Sequence, residues 1–111
     1  MLDRLKSHLI ALASQGQTCT YAELAAHLGL EPPHVIRQTT QLLEALMEDQ
    51  AKAGEPQLAS FVVSRGPSGL PAPGFFIHLN DLGLYSGPAS GAAAIGFIET
   101  ERARCARHVP D

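Results

Sequence analysis

The sequence contains no tryptophan, and its 111 residues include only two tyrosines, four phenylalanines and two cysteines. Because aromatic side chains are few, aliphatic residues must fill most of the core, and a hydrophobic content of 45% is enough to build one. A chain of this length fits one domain, spanning residues 1–111. No apolar run reaches the roughly 18 residues of a membrane span, so we expect no membrane partner.

Positive charge is also scarce in this sequence. Eight Lys and Arg residues stand against eleven Asp and Glu residues, which gives a formal net charge of −3. Non-specific binding to nucleic acid and attachment to anionic membranes both depend on clustered cations, so this balance argues against either activity. Residues 1–57 contain four Lys or Arg against seven Asp or Glu. Any DNA binding by this half is therefore expected to be weak and sensitive to salt.

Residues able to support catalysis or metal binding lack suitable spacing. Cys19 and Cys105 form neither a CxxC pair nor a disulfide framework, which favours two reduced thiols and a cytoplasmic protein. His27 and His34 do not match the ligand spacing of tetrahedral zinc. The glycine-rich stretch 64–76 lacks the lysine of a phosphate-binding loop. The sequence therefore predicts a non-enzymatic protein with no cofactor and no metal.

Helical periodicity and capping signals predict four helices. Thr20 and Glu23 have the spacing of a capping box, which begins a short helix, and Gly16, Gly29 and Gly54 mark helix ends. Two β-rich segments, QLASFVVS and GFFIHLN, flank a connection rich in glycine and proline, and this pattern predicts a hairpin with a long loop. The predicted helices cover residues 2–14, 21–28, 33–51 and 90–108, and the predicted strands cover residues 58–64 and 75–80.

The order of these elements predicts an α+β fold, a winged helix-turn-helix with a two-stranded hairpin and an additional C-terminal helix. The turn HLGLEPPHV joins the second and third helices as the junction of a helix-turn-helix pair. The hairpin that follows takes the place of the wing. This arrangement is common among small DNA-associated proteins.

Three segments, TYAELAAHLGL, HVIRQTTQLLEAL and FVVSRGPSGLP, resemble the C-terminal winged-helix domain of alkylguanine DNA alkyltransferases and alkyltransferase-like proteins, over Thr20–Pro71. The resemblance implies that Arg37 corresponds to the helical arginine that props open the gap left by a flipped base. It aligns Ala59, Ser60 and Phe61 with the Cys-His-Arg of the family's active site. Since no thiol stands at position 59, the resemblance supports the fold and implies no alkyl transfer.

The leading functional hypothesis is a small DNA-associated regulator, and a homodimer through the first or last helix is compatible with it. Arginine and glutamine are suited to base edges in the major groove, and other polar residues position the backbone. The predicted base-reading residues are Arg37, Gln38 and Gln41, and the predicted backbone contacts are His34 and Arg65. Ordinary solvation of a polar helix face is the alternative interpretation of the same helical residues.

The rival hypothesis is a protein-interaction or adaptor module that does not bind DNA. In this interpretation the stiff, apolar wing docks on a protein partner or on a second copy of the chain. The predicted contact residues are Leu70, Pro71, Pro73, Phe75 and Phe76. The same loop could instead pack within the fold, under the last helix.

Overall fold

The computed structural model describes residues 1–108, and most of this range is helical. Five α-helices occur within it, together with one short 3₁₀ helix, η1, and two strands of two residues each. In chain order the elements are α1 Leu2–Gln15, β1 Cys19–Thr20, α2 Tyr21–His27, α3 Val35–Ala53, η1 Leu58–Phe61, β2 Val62–Val63, α4 Pro73–Asp81 and α5 Gly91–Arg107.

The predicted winged-helix hairpin is wrong. The two strands in the described range pair in parallel, with Cys19 opposite Val62 and Thr20 opposite Val63. Parallel strands cannot be joined by a tight hairpin and need a longer crossover, which here contains α2 and α3. Within residues 1–108 the fold is therefore helical with a minimal parallel sheet and without a wing of the predicted kind.

The segment predicted as the second strand, residues 75–80, lies inside α4. Pro73 occupies the start of this helix, where the missing N–H of proline costs nothing. Phe75, Phe76 and Leu79 are buried at i, i+1 and i+4, which is the spacing of one helix face. The short apolar run was compatible with either structure, and the proline at the helix start favours the helix.

The segment predicted as the first strand, residues 58–64, is strand only at β2. Its first half forms η1, in which Ser60 N–H donates to the Gln57 carbonyl oxygen at 3.1 Å. The Gln50 side chain on α3 accepts from Leu58 N–H at 3.1 Å and holds the start of η1 in the interior. Every residue of η1 is buried, so the alternating pattern expected of a half-exposed strand does not apply.

The junction between α2 and α3 is fixed by local hydrogen bonds. The predicted capping box is confirmed: Thr20 Oγ1 accepts from Glu23 N–H at 3.1 Å, and Glu23 Oε1 accepts from Thr20 N–H at 2.8 Å. After α2 the chain passes through a cis bond between Pro32 and Pro33. His34 has φ +63°, in the left-handed region, so α3 begins at Val35 and not at the predicted residue 33.

The core is mainly aliphatic, as the composition predicted. Helix α1 packs against α3, α5 and η1, and α2 packs against α3. Six of the largest fully buried side chains are Leu5, Leu9, Leu24, Met47, Phe76 and Ile98. Within residues 1–108, every helix falls short of the length or apolar character needed to cross a bilayer.

Candidate nucleic-acid interface

The N-terminal half of α3 and the residue before it present three of the predicted DNA-contacting residues to solvent. His34, Arg37 and Gln41 are all exposed. Arg37 and Gln41 are four residues apart and lie on one face of α3, and His34 precedes the helix as its N-cap. No acidic residue lies between positions 34 and 41, and Glu44 is the first carboxylate further along the helix. This face has the residue types for contacts with a base edge and a phosphate.

Gln38 has a structural role in the junction before α3. Its Nε2 group donates to the carbonyl oxygens of Glu31 and Pro33, at 2.9 and 2.8 Å. These two bonds use both N–H groups of the amide, and Gln38 is only partly exposed. Bidentate recognition of adenine requires a free donor and a free acceptor on the amide, so Gln38 is not available for it in this arrangement.

Arg65 is exposed in the loop between β2 and α4, apart from α3 in the chain. The Arg102 side chain of α5 anchors this loop: Nε donates to the Ser60 carbonyl at 3.0 Å, and Nη2 donates to the Gly69 carbonyl at 2.9 Å. The same guanidinium lies 5.8 Å from the centroid of the Phe61 ring. The anchoring residue is 33 positions from Gly69, so no local sequence signal could have identified it.

Most of the predicted protein-contact residues lie inside the fold. Leu70 is 8% exposed, Phe75 6% and Phe76 1%, and Pro71 is also buried. Pro73 is exposed. The Phe75 and Phe76 rings pack edge to face, with centroids 5.3 Å apart. The apolar residues of this segment therefore pack in the core. The sequence had left this interpretation open as the alternative to docking on a partner.

A small cavity of about 100 Å³ continues the exposed face of α3. Its walls include Thr40 and Glu44, which stand three residues after Arg37 and Gln41 on the same helix. Sequence reasoning missed both residues, although their helical spacing from the predicted contacts was visible. The volume is smaller than the roughly 150 Å³ of a cavity that holds benzene, so a whole nucleobase does not fit.

The opposite wall of this cavity contains Tyr21 and Ala59. The Tyr21 oxygen accepts from Ala72 N–H at 3.0 Å, and its own O–H remains a donor. Burial is the main cause that raises the pKa of Tyr21, although the Ala72 hydrogen bond opposes it, so the phenol is neutral at physiological pH. Ala59 offers only a methyl group. The cavity can donate and accept hydrogen bonds but holds no thiol nucleophile.

The two cysteines lie elsewhere and are buried. Burial is the largest cause that raises the pKa of Cys19 to about 11 and that of Cys105 to about 12. Both thiols are therefore poor nucleophiles at neutral pH. Across residues 1–108, no group of three or more His, Cys, Asp or Glu side chains could hold a metal ion.

Comparison of the chain with models of known families, with curated proteins and with solved structures found no match.

Proposed function

We propose that this protein is a small DNA-associated regulator that contacts duplex DNA through the N-terminal half of α3 and performs no covalent chemistry. The observation that carries the proposal is the exposed row formed by Arg37 and Gln41 on one face of α3 and by His34 at the N-cap. The start of that helix is held by Gln38, so the row is presented in a fixed register. Preorganised side chains lose less entropy on binding.

Each residue of the row has a distinct proposed role. Arg37 suits the O6 and N7 atoms of guanine, and Gln41 suits the N6 and N7 atoms of adenine. His34, at the helix start, and Arg65, in the anchored loop, are proposed to contact phosphates, which fix the position of the protein without reading sequence. Gln38 is left out because its amide hydrogens are already bonded.

The small cavity favours groove binding over the extrusion of a base. A flipped base needs an enclosed pocket, and the resemblance to alkyltransferases suggested this mode through Arg37. The cavity of about 100 Å³ admits at most the edge of a base. We therefore expect a duplex with a single mismatch, whose bases flip more easily, to bind no more tightly than a matched duplex.

Salt dependence gives the proposal a quantitative form. Arg37 and Arg65 are the two permanent cations assigned to the interface, so about two counterions are released on binding. The plot of log affinity against log salt should then have a slope of about −2 for duplex DNA. Affinity is expected to be weak, near the 10⁻⁴ M end of the range for non-specific binding at physiological salt.

The test is a fluorescence-anisotropy titration of a labelled duplex at a series of salt concentrations. The series starts at about 50 mM, where electrostatic binding is strong. Arg37→Ala should weaken binding and reduce the salt slope by about one. Arg4→Ala is the matched control, because it removes one exposed cation from α1 and leaves α3 intact. Absence of binding at low salt, or equal losses in the two variants, would reject the proposal.

A further inference from the structure

A second, larger cavity lies between α1, α3, η1 and α5. Its volume is about 210 Å³, and much of its wall is apolar. The wall residues that matter here are Ile10, Ala13, Gln50, Leu58 and Cys105. The cavity exceeds the roughly 150 Å³ that accommodates benzene but is below the roughly 300 Å³ at which drug-sized sites begin. Its size therefore suits one small organic molecule.

Cations gather at the mouth of this cavity, in a protein whose net charge is −3. Lys6 and His108 lie at its rim, and an adjoining open cleft that shares His108 is lined by Arg104 and Arg107. Three of the eight Lys and Arg residues of the chain thus line either the cavity or the cleft beside it. This concentration departs from the acidic average and favours an anionic ligand.

Two carboxylates offset part of this charge. Glu55 lies at the rim and pairs with Lys6 at 3.3 Å, and Glu101 pairs with Arg104. Lys6, Arg104 and Arg107 together carry one more charge than these two acids. The Lys6 ammonium has three donors, so the pair with Glu55 leaves donors for a second acceptor.

We propose that this cavity binds a small organic acid, whose apolar body occupies the cavity and whose carboxylate lies at the mouth beside Lys6 and His108. An aromatic monocarboxylate of about the size of benzoate fits the volume. This site is separate from the proposed DNA interface. Gln50 in its wall is thirteen residues from Arg37 on α3, which corresponds to roughly 20 Å of helix.

The test compares three probes of one shape: benzoate, benzyl alcohol and benzylamine, titrated into the full chain and followed by ligand-observed NMR. Benzoate should bind most tightly, because it alone carries the negative charge that the mouth favours. Lys6→Gln should weaken benzoate about tenfold and leave benzyl alcohol unchanged. Arg4→Gln is the matched control, since it removes a cation from α1 that does not line the cavity.

A cavity-filling variant tests the location. Ala13 is buried in the cavity wall, so Ala13→Leu places extra methyl groups in the space and should abolish binding of benzoate and benzyl alcohol alike. Thermal unfolding checks that this variant is folded. If the Ala13→Leu variant does not fold, Lys6→Gln still tests the proposal, because a substitution at this partly exposed position should not disturb the fold. No binding of benzoate, equal binding of all three probes, or retained binding in a folded Ala13→Leu variant would overturn the proposal.

Discussion

The phenol oxygen of Tyr21 accepts a hydrogen bond from the backbone N–H of Ala72 at 3.0 Å, across 51 residues of sequence. This contact joins the start of α2 to the residue that precedes α4. It places α4 beside the helical pair and closes one side of the small cavity. A side-chain hydrogen bond therefore joins these distant segments, whereas the predicted fold relied on pairing between strands.

Tyr21→Phe should lower the free energy of unfolding by about 1 kcal/mol, because the partly buried Ala72 N–H loses its acceptor. Urea denaturation monitored by circular dichroism measures this change. Tyr85→Phe is a matched control, since Tyr85 donates to the nearby Pro88 carbonyl in an exposed turn. A loss in Tyr21→Phe no greater than that in Tyr85→Phe would show that the long-range bond contributes nothing.

Arg102→Ala should release the loop between β2 and α4. The guanidinium donates to two carbonyls on different segments, so its removal should cost about 2 kcal/mol and speed amide hydrogen exchange at Ser64. The Ser64 N–H bonds to the Leu70 carbonyl within this loop. Arg102→Lys should recover only part of the stability, because lysine lacks the planar fork that reaches both acceptors.

Arg107→Ala controls for the loss of a cation from α5, since Arg107 is exposed near the end of the helix. Equal stability of Arg102→Ala and Arg107→Ala, with unchanged exchange at Ser64, would contradict the anchoring role. A faster exchange at Ser64 without a change elsewhere would locate the effect in the loop.

Four of the five α-helices within residues 1–108 were foreseeable because their signals are local, whereas α4 was predicted as a strand. The capping box of Thr20 and Glu23 and the glycines after α1 and α3 act within one helical turn. The predicted residues 2–14, for instance, compare with Leu2–Gln15 in the structure. Signals of this kind depend on neighbouring residues alone, so the sequence carries them completely.

The strands and the site were harder because their determinants are long-range. Cys19 and Val62 pair across 43 residues, and a two-residue strand has no pattern of its own. Gln38 looked like a base-reading residue, but its partners depend on the path of the Pro32–Pro33 turn. Apolar residues such as Phe76 could have faced a partner or the core. Only the structure shows that Phe76 is buried in the core.

The two thiols should react slowly in the folded protein. A pKa of about 11 for Cys19 lowers its thiolate population at pH 8 roughly 100-fold relative to a thiol with the ordinary pKa of 9.0. A pKa of about 12 for Cys105 lowers its thiolate population roughly 1000-fold. Alkylation by iodoacetamide, followed by mass spectrometry, should be slower at Cys105 than at Cys19. Both should react rapidly in urea, and equal rates in urea and buffer would contradict the burial of the thiols.

His8 on α1 and His27 at the end of α2 stack with ring centroids 3.6 Å apart. The pKa of His8 is lowered from 6.5, first by burial and then by the charge of His27. The folded state therefore binds fewer protons than the unfolded state below pH 6.5. The stability that neutral His8 contributes is complete above pH 6.5 and is lost as pH falls through 6.5 toward the lowered pKa of His8.

His8→Gln should reduce the loss of unfolding free energy between about pH 7.5 and 5.5, a window in which histidine titrates and ordinary carboxylates do not. Urea denaturation at both pH values measures it. His34→Gln is the matched control, because it makes the same substitution at an exposed histidine outside the stacked pair. Asp3 and Arg4 line the same surface cleft as the pair, so both are kept in these two histidine variants. An unchanged pH dependence in His8→Gln would show that the stacked pair does not couple α1 to α2 through its charge.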